Sequence, residues 1–293
     1  MNPYSIWILE YAFIPECPIS SLVYGRHNQG NVKLPYGYVL LKGNDTTILV
    51  DCGYNHDAVG RQFGEFYGVK NWRNPTVVLG EVGISPKEIE HVILTHAHFD
   101  HMGGLALFPN AKFYIQQREL TRAVWAMTLE RKFRWLMTAA DPADILYAVQ
   151  LARDERITAL DGDVEDLLPG VDVHLAEDTH TPGSQYVVVR NDGMRNSRDS
   201  YVCTGDLVYR HDNLHGGSPA DPVYTPVGLA MGSQTNLIMA TDKILKAANG
   251  EAKRVLAPHE ENMPNIYPSR KSKEGLFIME VALAPGGSSF VTS

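Results

Sequence analysis

An α/β fold in a single domain, residues 1–293, is the architecture this sequence predicts, and three observations carry it. β-Prone runs come in pairs in both halves of the chain, at residues 36–42 with 46–50 and at 185–190 with 201–204. Helical periodicity separates those halves, with Leu120, Val124, Met127 and Leu136, then Ile145, Val149 and Ala152, at helical spacings. Between them the apolar run His91-Val92-Ile93-Leu94 leads straight into a histidine-rich segment. Hairpins in both halves, each flanked by helices, suggest a four-layer α/β sandwich.

Taken in order, residues 5–11 are β-prone and 36–42 are apolar and extended. Gly43-Asn44-Asp45 is a strong turn signal, so 36–42 and 46–50 should form a hairpin that ends at Asp51-Cys52-Gly53. Residues 58–67 read as a short helix, 69–75 as a loop that overhangs the site, and 76–82 again as helical. Ser85-Pro86-Lys87-Glu88 has a capping residue, a proline at the first helical position and a glutamate three after the cap. A short helix at 105–108 and a strand at 112–116 follow the histidine-rich segment. The helical region 118–153 is interrupted at Asp141-Pro142, and its Trp125, Phe133 and Trp135 are expected mainly in the core, with walling of a substrate pocket as the second reading. From Ile157 the pattern returns to strands, with Asn191 to Ser200 as a polar hairpin loop. The Gly/Pro-rich segment 210–234 carries few helix or strand signals. A helix is predicted at 235–248 and a last strand at 254–257, before an irregular tail with one short helical piece.

The chemistry starts at Thr95-His96-Ala97-His98-Phe99-Asp100-His101-Met102-Gly103-Gly104. If the strand continues, its period of two sets His96 and His98 on one side. Asp100 and His101 follow in a turn, and the two glycines let the backbone approach closely. Three imidazoles and a carboxylate within six residues suit zinc or a similar borderline divalent ion.

Composition excludes several other classes. A net charge of −8 over 293 residues, without a basic block, argues against nucleic-acid and anionic-membrane partners. Arg131-Lys132 with Arg134, and Arg270-Lys271 with Lys273, read as solvated faces. Cys17, Cys52 and Cys203 are scattered and lack C-x-x-C spacing, so reduced, unbridged thiols in a cytoplasmic protein are expected. Met1 to Glu10 has neither a basic start nor a long apolar core, so no signal peptide is expected, and no apolar run approaches membrane-spanning length.

The H-x-H-x-D-H segment resembles that of the metallo-β-lactamase superfamily, and the resemblance covers nearly the whole chain. It implies the four-layer αβ/βα order of the sandwich, and it demands a later His, a later Asp and a last His. His180 in His180-Thr181-Pro182-Gly183, Asp206 in Thr204-Gly205-Asp206 and His259 after Leu256-Ala257-Pro258 meet that demand in order. By this resemblance His96, His98 and His180 hold one metal, and Asp100, His101 and His259 the other, with Asp206 bridging. Two Zn2+ ions are the expected cofactors, with Mn, Fe or Co also compatible. Asp51 is either a support for these ligands or a strand-ending turn residue; His27, His56, His174, His211 and His215 read as surface or supporting residues.

A water shared by two cations is acidic enough to attack a carbonyl near neutral pH, whether of an ester, lactone, thioester or amide. Tyr209, three residues after Asp206, narrows the choice. Its spacing is similar to that of the lactonase branch, which includes N-acyl-homoserine lactonases and related small-lactone hydrolases. There the tyrosine bonds the lactone carbonyl, and packing is its bland alternative. The resemblance thus implies a zinc-dependent, quorum-quenching type of hydrolase that opens a lactone by attack of a metal-bridging hydroxide. Asp100 would be both ligand and proton shuttle, and 118–153 and 210–234 would line the pocket. The expected partner is a small lactone or related cyclic carbonyl compound, with a homodimer left open. Glu260 stands where many lactonases have Asp, which leaves the substrate open. A glyoxalase-II-like thioesterase, with Arg270, Lys271 and Lys273 as its basic segment, a cyclic-amide hydrolase and a mononuclear-iron persulfide dioxygenase are the alternatives.

Overall fold

Fourteen residues of almost unbroken apolar and aromatic character, SIWILEYAFIPECP, form β1 (Ser5–Pro18), which pairs antiparallel with β2 (Asn31–Lys42). The computed structural model describes residues 4–43, 45–216 and 218–291. The Met1-Asn2-Pro3 start, Asn44 of the predicted turn and Gly217 of the 210–234 segment lie outside the described residues. β3 (Thr47–Val50) continues antiparallel to β2, as the hairpin reading expects. β4 (His91–Ile93), β5 (Lys112–Gln116) and β6 (Ile157–Leu160) then add in parallel. β7 (Val164–Leu168), β8 (Val171–Glu177), β9 (Gly183–Arg190) and β10 (Ser200–Cys203) make an antiparallel second sheet, and β11 (Val255–Leu256) joins β10 in parallel.

The last two strands depart from the expected irregular tail. β12 (Ser269–Lys271) and β13 (Phe277–Ala282) return to the first sheet, whose order is β12-β13-β1-β2-β3-β4-β5-β6; the second runs β11-β10-β9-β8-β7. The run FIMEVA is short and mixed by itself, and it becomes a strand because the outer edge of β1 offers Ile6 to Leu9 as partners. The 255–256 strand is therefore not the last.

Helices Pro75–Gly80 and Pro142–Arg153 lie against the first sheet, Gln234–Ala247 lies against the second, and β5 meets β9 between the sheets. The resulting order is helix, sheet, sheet, helix. Ala58–Tyr67 is the helix the sequence predicts, capped by Asp57, whose Oδ1 accepts from the amides of Val59 and Gly60 at 3.0 Å each. The 118–153 region breaks twice rather than once, into Gln117–Met127, a 3-10 turn Arg131–Met137 and Pro142–Arg153. Thr128 ends the first piece: its hydroxyl donates back to the Trp125 carbonyl at 2.7 Å, and Glu130 turns extended. The core assignment of this segment's aromatics is corrected as well. Trp125, Phe133 and Trp135 are 48, 43 and 72 % exposed, because the broken helix turns them off the sheet. Within the 210–234 segment Asp212–His215 is helical, and the next helix starts at Gln234.

The three cysteines are buried and unbridged. Among the described residues, no helix is long and apolar enough to cross a membrane.

Candidate metal centre

β4 stops at Ile93, three residues short of His96, so the two imidazoles stand on a loop and not on a strand continuation. Leu94 still donates to the Tyr114 carbonyl (2.9 Å), but the next amide, of Thr95, turns away to Asp51 Oδ1 (2.7 Å). A buried carboxylate thus takes over the donor that would have extended the ladder. Asp51 ends β3 in the left-handed region, φ 63°, and its carboxylate collects three partners. The Thr95 amide and hydroxyl donate to it, and so does His101 Nδ1 at 2.8 Å. Of the two readings of Asp51, the structure supports that of a support for the ligands.

The motif then closes into the one-turn helix Phe99–Met102, with His98 at its N-cap. Gly104 lets this turn lie on the end of β3: a Cβ there would meet the Cys52 carbonyl oxygen at 2.1 Å. Gly205, at φ 50°, does the same from the second sheet, since its Cβ would fall 2.3 Å from Thr95 Oγ1. That contact sets the neighbouring Asp206 under the histidines. His180 and His259 arrive from loops after β8 and β11.

Four of the five imidazoles are oriented through their other nitrogen, His101 by Asp51 as above. His180 Nδ1 donates to the Leu229 carbonyl (2.7 Å) and His259 Nδ1 to the Pro35 carbonyl (2.5 Å). His96 Nδ1 meets Thr95 Oγ1 at 3.0 Å, the hydroxyl that itself donates to Asp51. This turns Nε2 of His96, His101, His180 and His259 inward, towards the carboxylates. The atoms form two groups, His96, His98, His180 with Asp206, and Asp100, His101 with His259. Asp206 joins them: Oδ2 lies 3.7 Å from His96 Nε2 and 3.3 Å from His180 Nε2, and Oδ1 lies 3.0 Å from Nε2 of both His101 and His259. His98 Nδ1 and His180 Nε2 face each other at 3.0 Å, and Asp100 Oδ2 is 3.5 and 3.6 Å from His101 and His259.

These separations fit a divalent ion in each group. Bonds of about 2.0–2.1 Å in a tetrahedron set neighbouring ligand atoms roughly 3.3 Å apart. Lone pairs aimed at one another repel unless a cation lies between, and His96 Nε2 and Asp206 Oδ1 are buried without a hydrogen bond among the described residues. The electrostatics divide the imidazoles: burial opposes their charge, but Asp206 and then Asp100 hold His101 and His259 above the usual histidine pKa. Burial, then the neighbouring imidazoles, holds His96 and His98 well below the usual histidine pKa, so both are neutral. Burial opposes the Asp206 charge, but His101 and His259 hold its carboxyl well below the usual range. Asp100 is raised by burial, and Asp206 adds to that.

A cavity of about 380 Å³ ends on this cluster. Its floor includes His98, Asp100, His180, Asp206 and His259, and Tyr36 and Tyr209 stand in its wall. Tyr209 is buried, stacks on His259 at 5.2 Å and donates its hydroxyl to Asp206 Oδ2 at 2.6 Å. Around the mouth are Phe66 and Trp135, 80 and 72 % exposed, together with Ile14 and Leu229. Thr138 and Ala139 of the 118–153 region and Ala230 and Met231 of the 210–234 segment also line it.

The other histidines lie outside both groups. His56 stacks on Trp72 and His174 on Tyr186, while His211 Nε2 meets the Val255 carbonyl. Glu260 supports the backbone, accepting from the amides of His211 and Asn262 at 2.8 Å each. Sequence reasoning missed Thr95 and also Glu119. The buried Glu119 carboxylate accepts from the amides of Ala97 (3.2 Å) and Gly183 (2.6 Å) and from the Thr181 hydroxyl, tying the His96–His98 loop to the His180 loop. Its only sequence signal is an acidic residue on an apolar helical face.

Residues 36–259 match the family model of the metallo-beta-lactamase superfamily. An N-acyl homoserine lactonase from Bacillus sp. is 27 % identical over 196 residues, 64 % of this chain and 69 % of the relative. The N-acyl homoserine lactonase AttM from Azorhizobium caulinodans is 22 % identical over 281 residues, 89 % of this chain and 94 % of the relative. In three dimensions the chain is similar in fold to AidC, a dizinc quorum-quenching lactonase in complex with a product, with a TM-score of 0.63, 20 % identity and 94 % of each chain covered.

Proposed function

The chain belongs to the metallo-beta-lactamase superfamily, and from that premise we propose that it is a lactonase, a hydrolase that opens a small lactone at a pair of divalent cations, zinc by default. The observation that carries the reading is the Tyr209 hydroxyl, 2.6 Å from Asp206 Oδ2 in the wall of a cavity that ends on both donor groups. The names of the two lactonase relatives support the same substrate class. His96, His98 and His180 would hold one ion, Asp100, His101 and His259 the other, and Asp206 both. Bound there, the pair would supply a water acidic enough to attack at neutral pH and would polarise the scissile carbonyl.

The chain's own groups do the rest. Tyr209 is a neutral donor, because burial and then Asp206 push its pKa well up. It turns its hydroxyl to the carbonyl oxygen as negative charge develops there. Asp100 lies at the cavity floor, where its carboxylate would be held ionised as a ligand of the second cation. It takes the proton from the attacking water and returns it to the departing ring oxygen. The apolar mouth with Phe66 and Trp135 favours a lactone that carries an apolar substituent.

The thioesterase alternative lacks support in the cavity: none of Arg270, Lys271 and Lys273 lines it, and Arg270 is engaged by Glu81 at 2.6 Å. Metal analysis of the purified protein, combined with a panel of lactones, thioesters and cyclic amides, tests the reading. Two ions per chain and preferential lactone turnover are expected. Thioester turnover without lactone turnover, or full activity with one tightly bound ion, overturns it.

A further inference from the structure

Tyr36 occupies β2 next to Pro35, whose carbonyl orients His259. Its ring meets His259 edge-on, with centroids 5.3 Å apart and planes at 70°, and Phe99 edge-on at 6.3 Å. The side chain is 4 % exposed and lines the same cavity as Asp100, Asp206 and Tyr209. Its hydroxyl has no hydrogen-bond partner among the described residues. Tyr209, by contrast, is engaged by Asp206 Oδ2. Unlike the Tyr38 hydroxyl, which is buried without a partner among the described residues, the Tyr36 hydroxyl opens to the cavity, where it can donate to whatever enters.

The two phenols flank one imidazole and divide the cluster between them. Tyr209 stacks on the face of His259, and Tyr36 stands at its edge. After burial itself, the group acting most on Tyr209 is Asp206, whereas for Tyr36 it is Asp100. Tyr36 also packs edge-on against Phe99, the residue before Asp100, which puts it on the Asp100 side.

We propose that Tyr36 is a second catalytic phenol, which donates a hydrogen bond to the ring oxygen expelled from the scissile bond while Tyr209 serves the carbonyl oxygen. The inference rests on the lactonase reading. As the water oxygen bonds to the carbonyl carbon, Asp100 takes one water proton. The bond from that carbon to the ring oxygen then breaks, its electron pair stays on the oxygen, and Asp100 returns the proton there. Tyr36 keeps its own proton throughout and supplies only the hydrogen bond. That bond strengthens as the ring oxygen gains charge, so it matters most for a basic alkoxide and little for sulfur, a weak acceptor.

The test compares an aliphatic lactone with the thiolactone of the same ring size and substituent, in wild type, Tyr36→Phe and Tyr38→Phe. Tyr38 is the matched control, a buried tyrosine two residues along β2 that does not line the cavity. Tyr36→Phe is expected to slow the lactone roughly tenfold to a hundredfold and the thiolactone at most about twofold. Metal content and melting temperature should stay the same. 3-Fluorotyrosine at position 36 should restore the lactone rate, which guards against a packing defect. A readout without turnover is calorimetric binding of the hydroxy-acid product against the same acid lacking the hydroxyl. Wild type should prefer the hydroxy acid, and Tyr36→Phe should lose that preference. Equal slowing of both rings, unchanged rates on both, or an undiminished preference for the hydroxy acid overturns the role of Tyr36. If wild type opens neither ring, the lactonase reading falls, and the paired acids still decide whether Tyr36 donates.

Discussion

Replacing Asp51 with Asn isolates the support under the metal ligands. The residue sits at φ 63°, a conformation that Asn adopts readily, so the backbone should be unmoved. One amide oxygen still accepts from the Thr95 amide as Oδ1 does now, at 2.7 Å. The other position becomes an NH2 group facing His101 Nδ1, which at present donates to Oδ2 at 2.8 Å. Two donors then confront each other. His101 either loses this bond or moves its proton to Nε2, the atom that would bind the ion. A hydrogen bond to a charged group is worth about 1.5–3 kcal/mol. At about 1.4 kcal/mol per tenfold, affinity for the second ion should fall roughly tenfold to a hundredfold. The first site, which does not use His101, should keep its ion. Chelator-competition titration with metal quantification resolves the two steps. Titrations of Asp51→Asn and wild type that superimpose would refute the reasoning, as would equal loss of both ions.

Two further outcomes follow from the same geometry. Tyr209→Phe deletes the hydroxyl now 2.6 Å from Asp206 and should lower kcat/KM for a lactone roughly tenfold to a hundredfold with both ions retained; an unchanged rate would reduce Tyr209 to packing. Asp144, on the helix behind the metal motif, has its carboxyl pushed up to about 7 by burial, then by Asp141 and Asp57. Its folded pKa lies above the unfolded one of about 4, so the folded state holds the proton longer and stability falls as pH rises from about 4 to 7. Asp144→Asn should therefore melt above wild type at pH 8, with the two curves converging near pH 4. A gap in melting temperature that does not change with pH would show that Asp144 is not the titrating group.

The legible parts of this molecule are those whose cause is local. Gly43 and Asp45 flank the turn of a hairpin between two apolar runs, and Ser85 with Glu88 announces a capped helical turn by position alone. The histidine-rich segment is legible because its donors are packed within six residues. The assignment of His180, Asp206 and His259 needed a family pattern, because only the fold brings them to the same point. What escaped is what depends on distant partners. Thr95 leaves the β4 ladder because Asp51, 44 residues earlier, captures its amide. Glu119 looks like any acidic residue on a helix until Ala97, Thr181 and Gly183 converge on it. The carbonyls of Pro35 and Leu229 that aim His259 and His180 carry no side-chain signal at all. Trp135 has the periodicity of a core residue, and only the break at Thr128 turns it outward to the cavity mouth.

The position of β13 has a consequence for how the chain is made. Ile6, Trp7, Ile8 and Leu9 leave the ribosome early, and β2 follows soon after to cover one side of their strand. The other side waits for residues 278–282, which follow only after all the elements between have been made. Until then the nascent chain presents an apolar strand edge with open amides and carbonyls, the kind of edge that pairs with neighbouring chains. Shielding of that edge during synthesis should matter to yield. Shortening the gene by the codons for β13 would make the exposure permanent, although every donor of the metal cluster would still be encoded.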